Sequence, residues 1–403
     1  MITSLDRYQV VSVYPQTEED AALIHWFVEK LQLDQWTNSK ILGAPVDIMM
    51  SSRQAASFTN IIKAKGIPTK IKIKDVQRLI DEEASLLQNV TKRQSRDFDH
   101  TAYHELDTIY GMLDQVATKF PDMVTSYIAG KTYEGREIRV SAISTGGEGT
   151  KEVIWIDCGI HSREWVAIST CQYILDQLTS GVGKDETTDS LLDQYDFHIM
   201  TVANPDGYVY TWLPSGNRLW RKNRVLNKGF LKCHGVDPNR NFDSDFGGPG
   251  TSDNPCVEIY HGPSAFSEAE SSAIRDSILN LGGRVSMFIT IHAYSQLWMT
   301  PYGYTQDLPA SYEDQYRVAE IGVKALTAVH GTEFSYGNIA SIIYEAAGGS
   351  IDWLYDSAGV QFAFALELRD TGEYGFFLPP EQILPVGEET WAGIIAAIKA
   401  HKK

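Results

Sequence analysis

The residues with the clearest chemical potential lie in Gly159-Ile160-His161-Ser162-Arg163-Glu164-Trp165. His161 and Glu164 stand three apart where an apolar strand gives way to a helix, so one turn can aim both at a single point. An imidazole nitrogen and a carboxylate oxygen suit Zn²⁺, with positions left for another ligand and for water. His-x-x-Glu is weak by itself, because a surface ion pair has the same spacing. The third ligand must come from a distant strand end, and His292 qualifies. Two other histidine patterns fail. His100 and His104 are spaced i, i+4, but Thr101 stands where His-Glu-x-x-His requires glutamate, and in His104-Glu105 the final position is Thr108. Both histidines read as exposed helix residues. The chain has no Gly-x-Ser-x-Gly elbow for a serine hydrolase, and Gly181-Val182-Gly183-Lys184 is followed by Asp185 rather than the hydroxyl of a phosphate loop.

Such groups act together only if strands deliver them to one place. After residue 100 strands and helices alternate, the pattern of an α/β domain. Buried-looking strands at 153–157, 197–203, 285–291 and 360–366 end near His161, Asn204, His292 and Glu367. Open α/β sheets form their sites in the crevice beyond such ends. The first ninety-odd residues read as a separate unit. Strands at 8–14, 33–36, 46–50 and 70–74 and helices at 18–31 and 52–65 follow the split βαβ order β-α-β-β-α-β. A polar helix from Asp75 then runs into Lys92-Arg93-Gln94-Ser95-Arg96, a basic break of the kind that proteases nick.

The chain has 403 residues, of which 43% are hydrophobic, enough for a sizeable core and against disorder. No apolar run is long enough to span a membrane. With 35 basic against 52 acidic residues the net charge is −17, which opposes binding to nucleic acid or an anionic membrane. Four cysteines, Cys158, Cys171, Cys233 and Cys256, allow three disulfide connectivities, and no Cys-x-x-Cys motif occurs. The N-terminus has neither a basic n-region nor an apolar h-region, so a signal peptide has been removed or the protein stays inside the cell. Asn89-Val90-Thr91 fits a glycosylation sequon.

Several long motifs in order give the chain a family resemblance. His161-Ser162-Arg163-Glu164-Trp165, Asn204-Pro205-Asp206-Gly207-Tyr208, Trp220-Arg221-Lys222-Asn223-Arg224 and Asp237-Pro238-Asn239-Arg240-Asn241 resemble the pancreatic-type zinc carboxypeptidases. So do His292-Ala293-Tyr294-Ser295, Ile343-Tyr344, Gly349-Ser350-Ile351-Asp352-Trp353 and Glu367-Leu368-Arg369-Asp370. The resemblance implies a zymogen. Residues 1–96 become an activation segment, a small α+β open sandwich with a connecting helix. Residues 97–403 become the catalytic domain, a mixed central β-sheet flanked by helices.

It further implies one Zn²⁺ per chain on His161, Glu164 and His292, with Asp237 holding His161 in one tautomer. Glu367 becomes the general base that activates the zinc-bound water, and Arg221 helps to stabilise the oxyanion, a contribution of ~3 kcal/mol or more. Asn239, Arg240 and Tyr344 take the substrate's terminal carboxylate, for which the planar fork of Arg240 is suited. Arg163 and Tyr294 line neighbouring subsites. Cys233–Cys256 matches a disulfide common in the family, and Cys158 and Cys171 match positions bridged in B-type relatives. Cleavage near Arg93 or Arg96 by a trypsin-like protease releases the enzyme, which is secreted and extracellular, and protein inhibitors are possible partners.

Relatives with aspartate at the position of Ile351 prefer C-terminal Lys or Arg. Here Ile339, Ile343, Ala346, Ile351 and Gly303 make an apolar, uncharged pocket, so aliphatic or aromatic C-terminal residues are expected. Met299 and Ala365 resemble the roomier A-type pockets. Ala293 departs from the serine of many relatives, with little consequence, since the backbone carbonyl is the useful group there. Two other readings compete. A hydrolase of small acylated amino acids need not keep Asn239, Arg240 and Tyr344, and a non-catalytic binding protein should have lost a ligand or the base. All of these residues are present.

Overall fold

The computed structural model describes residues 8–37, 42–91, 98–147, 149–213, 217–229 and 232–402, with the backbone alone for 88–91. Arg93 and Arg96, the expected cleavage positions, lie outside the described residues, as does the side chain of Asn89.

The N-terminal unit comprises β1 (Tyr8–Val13), α1 (Glu18–Leu31), β2 (Asp34–Gln35), β3 (Val46–Ser51), α2 (Ser52–Ala64), β4 (Thr69–Ile73) and α3 (Val76–Thr91). Local sequence explains where its helices start. Thr17 and Asp20 cap α1 reciprocally, and Ser51 and Gln54 do the same for α2, each pair satisfying backbone donors at a helix N-terminus. The strands form a sheet in the order β2-β3-β1-β4. Val11, Val13, Ile48 and Met50 on one face pack with Phe58 and Ile62 of α2.

The remainder contains α4 (Leu106–Lys119), β5 (Val124–Lys131), β6 (Glu137–Ile143), β7 (Glu152–Cys158), α5 (Trp165–Ser180), α6 (Glu186–Gln194), β8 (Tyr195–Met200) and α7 (Pro205–Trp212). It continues through α8 (Ala269–Asn280), β9 (Val285–Ala293), β10 (Leu297–Thr300), α9 (Tyr312–His330), β11 (Ser335–Asn338), α10 (Ile339–Ile342), α11 (Ser350–Asp356), β12 (Phe362–Leu368) and α12 (Ile383–Ala400). Eight strands form one mixed sheet in the order β11-β10-β12-β9-β7-β8-β6-β5. The central run β12-β9-β7-β8 is parallel. The strands β7, β9 and β12 are largely apolar because both faces are covered: Ile154, Ile156 and Ile289 lie in one core, and Trp155 and Phe288 in the other.

Three local expectations need correction. His100 and His104 precede α4 instead of lying on a helix, and both are half-buried, with His104 Nε2 2.6 Å from the carbonyl of Asp99 and Phe98 packed against both rings. Asn204 lies beyond β8 and belongs to the scaffold. It caps α7 by accepting from Gly207 N at 2.9 Å, while its amide donates to the carbonyls of Ile160 and Lys222. His292 and Glu367 lie inside β9 and β12, not past their ends, because both strands run two residues further than their apolar runs suggest.

Candidate active site

The strand-to-helix turn after β7 depends on Gly159. Its φ is +70°, and a Cβ there would meet the Ile168 side chain at 2.6 Å, so only glycine fits unstrained. The backbone then presents His161, and Glu164 ends the turn immediately before α5. The Cys158–Cys171 disulfide ties the end of β7 to α5 across this turn, and Cys233–Cys256 closes a second loop beside the site. Parallel register supplies the rest. Cys158 pairs with Ile291 across β7 and β9, and Glu367 pairs with His292 across β12 and β9. His161, His292 and Glu367 therefore meet at the C-terminal ends of the central strands although they are distant in the chain.

His161 Nδ1 lies 2.9 Å from Glu164 Oε1, His292 Nδ1 3.1 Å from Glu164 Oε2, and the two Nδ1 atoms are 3.0 Å apart. All three side chains are buried. Two imidazole nitrogens and a carboxylate converging this closely cannot satisfy one another by hydrogen bonds alone, and the donor set suits Zn²⁺. The outward nitrogens are held as well. His161 Nε2 is 3.1 Å from Asp237 Oδ1, and Asp237 Oδ2 accepts from Arg221 Nε and Nη2 at 3.0 and 2.9 Å. His292 Nε2 is 3.2 Å from Thr290 Oγ1, which donates to Asp157 at 2.7 Å. Such outer partners set ring orientation and tautomer.

Charge follows this geometry. Burial works to raise Glu164, but His161 and His292 hold it below the usual carboxylate range. Burial likewise opposes Asp237, which Arg221 and His161 keep well below its ordinary value. Burial and then Arg221 lower His161, favouring the neutral ring that a metal ligand requires. Burial, followed by the Glu164 charge, raises Glu367, with His292, Arg221 and Arg240 pulling the other way.

One cavity is lined by this cluster together with Arg221, Asn239, Arg240, Tyr344, Tyr294 and Glu367. Arg240 Nη2 donates to Tyr344 Oη at 2.7 Å, and its other nitrogens donate to the carbonyls of Gly250 and Asn239. Asn239 Oδ1 accepts from Ser350 N at 3.0 Å. Ile339, Ile343, Ala346, Ile351, Met299 and Ala365 form the apolar wall. Gly303 does not line the cavity. Its N–H is turned to the Asp352 carboxylate and its carbonyl to Ala346 N, so it backs the wall. Asp352 itself borders the cavity, and burial pushes it up to about 7, but its oxygens are occupied by the N–H groups of Gly303 and Tyr304.

Residues of the N-terminal unit cover the mouth. His25, Gln35, Trp36 and Thr37 line the same cavity. Arg163 lies outside that lining, with Nη1 3.0 and 2.8 Å from the two oxygens of Asp34 and its guanidinium 4.3 Å from the Phe376 ring. Tyr294 donates to Asp47 at 3.3 Å, and Arg218 meets Glu83 of α3 at 2.5 and 3.1 Å. Trp36 packs edge-on against Phe376. Sequence reasoning missed Asp157, Thr290, Asp34 and Trp36. Only Asp157 left a signal, as a lone carboxylate inside the apolar run of β7.

Known proteins resemble both parts of the chain. The zinc carboxypeptidase profile matches residues 109–393, and the carboxypeptidase activation peptide profile matches residues 11–83. Carboxypeptidase A2 of Mus musculus is 42% identical over 96% of this chain and 92% of its own length. The crystal structure of carboxypeptidase A from Helicoverpa armigera superposes with a TM-score of 0.91 at 30% identity, over 98% of each chain. Bovine thrombin-activatable fibrinolysis inhibitor, solved in complex with tick carboxypeptidase inhibitor, gives 0.70 at 36% identity over 75% of this chain and 98% of its own.

Proposed function

The chain belongs to the zinc carboxypeptidase family and carries that family's activation peptide, and we propose that it is the secreted zymogen of an exopeptidase that removes apolar residues from peptide C-termini. One observation carries the reading. The His161–Glu164–His292 cluster, Glu367 and the Arg240–Tyr344 pair share a single cavity that ends in an apolar wall. Zn²⁺ held by His161, Glu164 and His292 supplies, when bound, Lewis acidity, a lowered water pKa and a positive charge that favours ionised Glu367.

The chain's own groups do the rest. Glu367 takes a proton from the attacking water and returns it to the leaving amine. Arg221, held by Asp237, presents a fixed positive charge where the carbonyl oxygen becomes anionic. Arg240 and Tyr344 bind the terminal carboxylate, with Asn239 beside them, which restricts cleavage to the last peptide bond. The apolar wall gains roughly 25 cal/mol per Å² from a buried aliphatic or aromatic side chain. A C-terminal lysine would lose its water there without a partner, since the oxygens of Asp352 already accept backbone hydrogen bonds.

We assign residues 1–96 to the inhibitory segment and 97–403 to the enzyme, with activation by trypsin-like cleavage near Arg93 or Arg96. Support comes from the basic break and from the activation unit's position over the cavity. A protein inhibitor would use the mouth that cleavage uncovers. No helix among the described residues is long and apolar enough to cross a membrane. The test is release of C-terminal Phe against Lys from matched peptides after limited trypsin treatment, with a chelator control. Chelator-sensitive Phe release is expected, whereas faster Lys release would overturn the pocket assignment.

A further inference from the structure

Glu258 is a cavity-lining carboxylate that the chemistry above leaves unused. Its loop is pinned twice, by the Cys233–Cys256 disulfide and by Lys222, whose Nζ donates to the carbonyls of Pro255 and Val257 at 2.9 and 3.0 Å. The carboxylate borders the catalytic cavity with His161, Arg221 and Tyr344, and also a second cavity with Leu33, Asp34 and Trp220. Its Oε2 is buried without a hydrogen-bond partner. In the zymogen the nearby cations are engaged elsewhere: Lys222 on the two carbonyls, Arg221 on Asp237 and Arg163 on Asp34, and only the last of these pairings is lost when the segment leaves. Burial, and then the Asp34 charge, raise its pKa. A rigid, unsatisfied acceptor in a substrate cavity is costly unless a ligand donor meets it.

The activation segment now occupies the space beside Glu258 and brings Asp34, another anion, to it. Once the segment leaves, that negative charge leaves too. The substrate's last residue is taken by Arg240, Tyr344 and the apolar wall, so the upstream peptide must exit through the space that β2 vacates. We propose that Glu258 determines specificity upstream of the scissile bond, favouring Lys or Arg over Asp or Glu two residues before the C-terminal one. The inference rests on the exopeptidase reading above.

The test uses the full chain, activated with trypsin that is then blocked, and two N-acylated tripeptides ending in Ala-Phe. One begins with lysine and the other with glutamate, and free phenylalanine is measured. At low salt kcat/KM should favour the lysine peptide about fivefold, the size of one partly exposed ion pair, and the ratio should shrink as salt rises. Glu258→Gln should bring the ratio close to one, and Glu258→Lys should invert it. Equal rates with wild type, or a ratio untouched by both variants, overturn the assignment. A glutamate preference would assign the subsite to Arg163 instead. If either variant fails to fold, the wild-type ratio and its salt dependence still decide. No release from either peptide by a zinc-loaded sample removes the exopeptidase reading, and this inference with it.

Discussion

Replacing Asp34 with asparagine tests how much the Arg163 ion pair contributes to holding the activation segment over the cavity, beside the Arg218–Glu83 pair. Arg163 Nη1 is 3.0 and 2.8 Å from the two Asp34 oxygens, and the side chains are 1% and 15% exposed. Asparagine keeps the shape and one acceptor but removes the charge, leaving Arg163 with the Leu219 carbonyl and the Phe376 ring. Breaking a buried pair from one side costs about 3–5 kcal/mol, and an exposed pair about 0–1. Asp34 is partly wet, which puts the loss at roughly 1.5–3 kcal/mol. At about 1.4 kcal/mol per tenfold, the uncovered fraction of the zymogen rises roughly 10- to 100-fold. The assay compares phenylalanine release by uncleaved wild-type and Asp34→Asn chains, each relative to its trypsin-treated form. Position 34 lies upstream of the expected cleavage, so both treated samples contain the same mature enzyme and must agree. The difference should narrow at high salt, since only the wild-type pair is screened. A folded, uncleaved Asp34→Asn chain no more active than wild type would refute the reasoning.

Two further perturbations address the base and the core. Glu367→Gln should lower kcat by about 10²–10⁴ with KM nearly unchanged, because it removes a proton acceptor and no binding contact; zinc content by atomic absorption should stay the same, and its loss would reassign Glu367 to metal binding. Glu270 is buried with one oxygen unpartnered, and burial pushes it up to about 7 despite a 2.9 Å hydrogen bond from Asn223. A carboxyl whose folded pKa is raised binds protons on folding, so stability falls as pH rises from about 4.5 to 7. Glu270→Gln should escape this loss, and its stability relative to wild type should increase by roughly 2–3 kcal/mol between about pH 5 and pH 8. Denaturant melts giving the same difference at both pH values would sink the argument.

Much of the chemistry could be read from residue order because it is local. The spacing of His161 and Glu164 needs one turn, and the apolar runs of β7, β9 and β12 announce buried strands of an α/β domain. The order of the small N-terminal unit follows from the same local periodicities, and the wider assignment of roles came from family resemblance. Where local rules were pushed further they failed. The His100 and His104 spacing suggested a helix, but the helix begins at Leu106, and Phe98 packs against both rings instead.

Residue types and short spacings therefore pointed to His161, Glu164 and His292 as metal ligands, whereas the proton carrier and the carboxylate grip came from the family resemblance. Tertiary structure alone decided that Glu367 stands beside His292, that Cys158 pairs with Cys171, that Thr290 and Asp157 back the His292 ring, and that Asp34 reaches Arg163. The physical reason is range. A turn or a cap is specified by a few neighbouring dihedral angles and hydrogen bonds, whereas strand register and the docking of one unit on another depend on the summed packing of surfaces far apart in the chain.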